Sequence, residues 1–150
     1  MTSVLSGNTQ LGIVYKLLIH SDAVADLQAI QRAGDTRNYG VVLAFLQQAK
    51  ANQQILESLS SDFFGVGGVE NYDVKKWISQ QQQGRQLWRV RLCDIKGLGV
   101  PYRILHAFDA VRSTYYVLAI LDRGFNYDDS TPRVKRLLAV YDRLGIPGRR

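Results

Sequence analysis

Residues 87–95 read LWRVRLCDI, and the fold turns on how this stretch is taken. Trp88, Val90 and Leu92 alternate with Arg89, Arg91 and Cys93, the two-residue period of a strand buried on one side. One face is apolar and the other carries two guanidinium groups. Downstream, Lys96-Gly97-Leu98-Gly99 has turn chemistry, and Pro101 enters a second strand. Tyr102 to Phe108 (YRILHAF) and Thr114 to Leu121 (TYYVLAIL) are β-branched and aromatic runs joined by the short loop Asp109 to Ser113. Three consecutive strands with short connections imply mainly antiparallel pairing.

Upstream, Leu11 to His20 (LGIVYKLLIH) predicts a first strand. Ser21-Asp22 can cap a helix over about Ala23 to Arg32 that stops near Gly34. Asp35 or Thr36 can cap a longer helix reaching toward Leu59, with Val42, Phe45, Leu46, Ala49, Leu56 and Leu59 as its apolar stripe. Residues 60–86 read as a flexible loop, with Gly65, Gly67 and Gly68 and the polar tract Gln80 to Gln83. A short ordered piece at Val74 to Trp77 packs its tryptophan. No Gly-Lys-Ser/Thr follows the glycines, which excludes a P-loop. At the other end, Thr131-Pro132 predicts an N-cap and first helical residue. Val134, Leu137, Leu138, Tyr141 and Leu144 recur at helical spacing, and Gly145 and Pro147 end the helix. The expected chain is one α+β domain over residues 1–150, ordered β-α-α-β-β-β-α. It has a mainly antiparallel four-stranded sheet with an N-terminal helical hairpin on one face and a C-terminal helix. The other face is left to the arginines.

Charge is divided unevenly along the chain. Residues 1–83 hold six Lys/Arg and seven Asp/Glu, a net of −1, and residues 84–150 hold thirteen and six, a net of +7. Eleven of those thirteen cations are arginine, whose planar fork matches phosphate. A one-sided basic surface of this kind suits nucleic acid. The one cysteine, Cys93, excludes an internal disulfide. With no signal-like start and no long apolar run, a cytoplasmic protein without membrane contact is expected.

Few residues offer chemistry. His20 and His106 have no companions at ligand spacing, Asp128-Asp129 reads as a turn, and no convergent carboxylate set is visible, so no metal or other cofactor is expected. Arginine and tyrosine remain: Arg89 and Arg91 on one strand face, Arg103 opening the next strand, Arg123 closing the last, and Tyr127 four residues on. RNA can be cut without metal, because its 2′-hydroxyl can attack the neighbouring phosphorus. That reaction needs a base, cations for the developing phosphate charge, and in-line alignment. Nearby guanidinium groups are expected to lower the Tyr127 phenol from its ordinary value of about 10 toward service as that base.

These residues, in this order, resemble the core of the RelE/ParE superfamily of bacterial toxins, in particular its RelE-type ribonuclease branch. The resemblance spans Leu87 to Leu144. Its marks are Arg89 and Arg91 on one strand, Tyr102-Arg103 opening the next, and Val117 to Ile120 followed by Arg123 and Tyr127. It implies an mRNA interferase acting in the ribosomal A site, leaving a 2′,3′-cyclic phosphate and a 5′-hydroxyl, and neutralised by a cognate antitoxin. By this resemblance Arg103, Arg123 and Tyr127 are catalytic, and Arg89, Arg91 and Lys96 hold the RNA. Some relatives use a histidine base, which keeps His106 as a minor candidate. The chain is longer than usual for the family, chiefly in residues 60–86. Two alternatives on the same fold are a ParE-like, non-enzymatic inhibitor of DNA gyrase and an inactive basic interaction module.

Overall fold

The computed structural model describes residues 12–68, 70–93 and 98–148. Its elements in chain order are β1 (Lys16–Ile19), α1 (Ser21–Arg32), α2 (Thr36–Ala51), α3 (Gln53–Ser58), β2 (Tyr72–Lys76), α4 (Ile78–Gln81), β3 (Leu87–Cys93), β4 (Gly99–Asp109), β5 (Thr114–Asp122) and α5 (Pro132–Arg143). The class is α+β, as expected, but the sheet has five strands, ordered β1-β5-β4-β3-β2, and is mixed. β1 runs parallel to β5, while the other three pairs are antiparallel. The parallel pair follows from the helices that separate β1 from the later strands, since a parallel neighbour needs a long crossover.

The fifth strand comes from the segment expected to be a loop. Residues 60–86 contribute β2 and α4. β2 (YDVKK) offers only Tyr72 and Val74 as buried apolar residues on one face, too short a pattern to separate from a turn. Its outer edge is closed by the preceding turn. Phe63 N–H donates to Val74 O (2.8 Å), Val74 N–H to Phe64 O (2.9 Å), and Lys76 N–H to Asp62 Oδ1 (3.0 Å). That closeness requires glycine at position 65, where φ is 75° and a Cβ would lie 2.1 Å from Tyr72 O.

The helix ends follow their local chemistry. Asp35 accepts from Asn38 N–H to cap α2, and Thr131 accepts from Val134 N–H to cap α5, with proline at its first position. α1 is capped one residue earlier than expected, by His20, whose Nδ1 accepts from Asp22 N–H. The expected long second helix breaks at Asn52, whose extended backbone and side-chain acceptor start α3.

Two apolar layers cover the sheet. α1, α2 and α3 send Leu27, Phe45, Leu46 and Leu56 against Val74, Trp88, Val90, Ile104 and Tyr115 on one face. α5 packs Val134, Leu137, Val140 and Tyr141 on Leu87, Leu105, Ala107, Ala119 and Leu121 on the other. The register slips between Leu105, opposite Ala119, and His106, opposite Val117. Leu118 is the extra residue of this bulge, and it joins Ala119 under α5. The arginine face is therefore not free: α5 occupies its apolar half. Among the described residues no helix is long and apolar enough to cross a membrane.

Asp26 of α1 joins the layers. β1 stops alongside Val117, and beyond it the Ile120 N–H of β5 donates to Asp26 Oδ2 (2.9 Å). The same oxygen accepts from Arg133 Nη2 of α5 at 2.7 Å, and Arg136 of α5 makes two bonds to Asp22. Replacing Asp26 by alanine orphans a strand amide and one guanidinium contact. Asp26→Ala is expected to lower stability by about 1–3 kcal/mol, read from the urea midpoint at unchanged m.

Candidate nucleic-acid interface

Cross-strand register brings the arginines together. Arg91 lies opposite Arg103, Arg103 opposite Leu121, and Arg89 opposite Leu105. Directly opposed residues share a face, and Leu105 and Leu121 belong to the α5 cluster, so these arginines occupy the same side as α5, beyond its cover. On the neighbouring edge strand, Asp73 lies opposite Arg91 and Lys75 opposite Arg89. The result is a cationic half-face spread over three strands, with Asp73 set among its guanidinium groups.

The arginines differ in their surroundings. Arg91 is bound by Asp73: Nε and Nη2 both donate to Oδ2, at 2.9 and 2.6 Å. Arg103 is half-buried, and its Nη1 makes two long bonds, each 3.3 Å, to the carbonyls of Val100 and Tyr102. Burial first, and then the like charges of Arg89 and Arg91, pull its guanidinium below the ordinary value. Arg89 is half-buried and makes no ion pair among the described residues. Neither Arg89 nor Arg103 has an acid bound to it among the described residues, and the charged form of Arg103 is already disfavoured, so the two are ready for an anion.

Tyr127 closes this half-face beside α5. Its ring packs edge-on against Trp77 (5.2 Å) and Phe125 (5.0 Å). Its hydroxyl is shielded from water and has no hydrogen-bond partner among the described residues. The cations that act on it are Arg89 and Arg103. They lower the phenol, but burial raises it more, and the net direction is upward. The expected lowering of Tyr127 is thus corrected: loss of water outweighs two nearby positive charges, and the group keeps its proton at neutral pH.

The remaining sequence-level candidates fall elsewhere. Arg123 is exposed just past β5, where its N–H donates to Pro101 O (3.0 Å), two residues before Arg103. Lys96 lies outside the described residues. His106 is on the opposite face, packed against the helices, and Nε2 donates to Leu59 O at 2.7 Å. It is a core histidine and takes no part in the arginine half-face. Asp73 was not singled out in the sequence, because the signal for its strand is only two apolar residues long. Among the described residues no three His, Cys, Asp or Glu side chains converge as metal ligands would. The chain matches no protein-family model, no curated protein and no solved structure.

Two outcomes follow from these environments. Tyr127→Phe removes a buried hydroxyl that bonds to nothing, so the thermal midpoint is expected to hold or rise slightly in a melting curve. His106 is held near pKa 4 against an ordinary 6.5, chiefly by burial. On acidification the unfolded chain takes up this proton first, so the contribution present above pH 6.5 is lost as pH falls toward 4, about 3 kcal/mol in all. Urea titrations across that range are expected to show this loss, with a shallower slope in His106→Gln.

Proposed function

We propose that this chain is the toxin of a type II toxin–antitoxin pair: a cytoplasmic, metal-independent, ribosome-dependent endoribonuclease that cuts mRNA in the ribosomal A site. A cognate antitoxin protein neutralises it. One observation carries the reading: Arg89, Arg91 and Arg103 share one half-face, with the unpaired hydroxyl of Tyr127 beside two of them. The resemblance drawn from residues 87–144 points to the same constellation. RNA is preferred over DNA because it supplies its own nucleophile.

In the proposed reaction the 2′-hydroxyl attacks the adjacent phosphorus, the O2′–P bond forms and the P–O5′ bond breaks. The products are a 2′,3′-cyclic phosphate and a 5′-hydroxyl. Arg89 and Arg103 take the charge that grows on the phosphate oxygens, and Arg123 contacts the strand farther along. A tyrosine that keeps its proton fits donation better than abstraction. Tyr127 therefore protonates the departing 5′ oxygen once substrate uncovers it, and the 2′ proton passes to water. The ribosome supplies the in-line alignment.

The shielding of the Tyr127 hydroxyl favours a second reading, a module that grips RNA without cutting it. Induction in cells with mapping of mRNA 5′ ends separates the two. Wild type is expected to arrest growth and give codon-phased cuts, Arg103→Ala to abolish both, and Tyr127→Phe to lower cutting at least a hundredfold while staying folded. Arrest with intact mRNA in the wild type rejects cleavage, and gyrase-trapped DNA breaks in the same cells select the gyrase alternative.

A further inference from the structure

Asp73 sits at the edge of the arginine half-face, opposite Arg91, which is itself opposite Arg103. The two halves of this ion pair are unequally placed: the Asp73 side chain is 5% exposed and that of Arg91 47%. They are also unequally bonded. Both of these Arg91 donors converge on Oδ2, while Oδ1 is buried with no hydrogen-bond partner among the described residues. Arginine–carboxylate pairs are frequently fork to fork, with both oxygens engaged. Here one oxygen is left over, inside a surface otherwise rich in donors. A carboxylate oxygen accepts and does not donate, so what would complete it is a donor from outside.

That requirement restricts the ligand. A bare phosphate offers the guanidinium groups what they need and offers Oδ1 only repulsion. A group that carries a phosphate and, beside it, a hydroxyl donor satisfies both halves. The ribose of RNA has this arrangement, with its 2′-hydroxyl next to the 3′-phosphate, and deoxyribose does not. The exposed partner, Arg91, touches only Oδ2, so it is the part of the pair that can turn outward without dismantling β2.

We propose that Asp73 is the residue by which this half-face distinguishes RNA from DNA: Arg91 turns from Oδ2 to a phosphate, and the uncovered carboxylate accepts a hydrogen bond from the adjoining 2′-hydroxyl. A DNA strand brings the phosphate and not the donor, so it meets an unpaired carboxylate, and discrimination comes from repulsion as much as from attraction. This deepens the reading of the face as an RNA interface and rests on it.

The test is binding of the full chain to a fluorescent single-stranded RNA and to DNA of the same sequence, at fixed salt. Wild type is expected to prefer RNA by about tenfold, the worth of one hydrogen bond to a charged group. Asp73→Ala is expected to bring the two affinities within about threefold of each other, mainly by tightening DNA, as a negative charge leaves the site. Asp73→Glu keeps the charge and displaces the acceptor, and it is expected to narrow the preference too, which serves if the alanine variant does not fold. An unchanged preference in a folded variant overturns the role of Asp73, as does a wild type that binds RNA and DNA equally; either leaves a polyanion-binding face standing. A wild type that binds neither overturns the RNA interface itself and this proposal with it.

Discussion

The arrangement depends on the carboxylate of Asp26, which does two things with one oxygen. It accepts the Ile120 amide where β1 has ended and the β5 edge would be bare, and it holds Arg133 of α5. An unpaired strand amide under a helix is costly, and a side chain from α1 that supplies the acceptor fixes the height at which α1 crosses the sheet. The same contact, with the Asp22–Arg136 pair one turn away, ties α5 to α1 around the sheet. How much of the second face α5 can cover is thereby limited. The apolar half, with Leu105, Ala119 and Leu121, lies under it, and the half with Arg91 and Arg103 does not.

Tyr127 stands where those halves meet, and its behaviour follows from the position. Its ring belongs to the apolar side, through Trp77 and Phe125, while its hydroxyl feels Arg89 and Arg103 on the basic side. The two environments pull its titration in opposite directions. Burial acts at contact on the whole phenol, whereas the guanidinium groups retain some exposure and are partly screened. That ordering explains why the hydroxyl rests protonated and unpaired, and why a substrate that opens the seam would meet a donor.

The sequence makes the arginines legible because a two-residue alternation is local: LWRVRLC declares which side chains share a face before any partner strand is known. The caps at Asp35 and Thr131 are legible for the same reason. The edge strand β2 is not. It is five residues long, follows a glycine-rich turn, and is held by pairing with β3 and by the 62–64 turn, which are tertiary facts. Missing β2 hides Asp73, since that residue acquires meaning only opposite Arg91. The direction of the Tyr127 shift is hidden too. Charges can be counted along a chain, but the burial that outweighs them depends on Trp77, fifty residues earlier.

Net charge, the first sign of a polyanion partner, turns out to be a poor measure of the interface and a good pointer to it. Several arginines of the basic half are engaged in holding the fold: Arg85 with Asp142, Arg112 with Asp109, Arg133 with Asp26 and Arg136 with Asp22. These pairs tie α5 to α1 and to the residues before β3, and they close the β4–β5 hairpin; their charge is largely cancelled before any ligand arrives. Arg89 and Arg103, by contrast, sit side by side on the sheet with no acid bound to either among the described residues, and their mutual repulsion is a standing cost. A fold that neutralises several of its arginines elsewhere and binds no acid to these two among the described residues leaves an unmet demand for an anion here. That placement, more than the sum of +7, is the physical argument for a phosphate there.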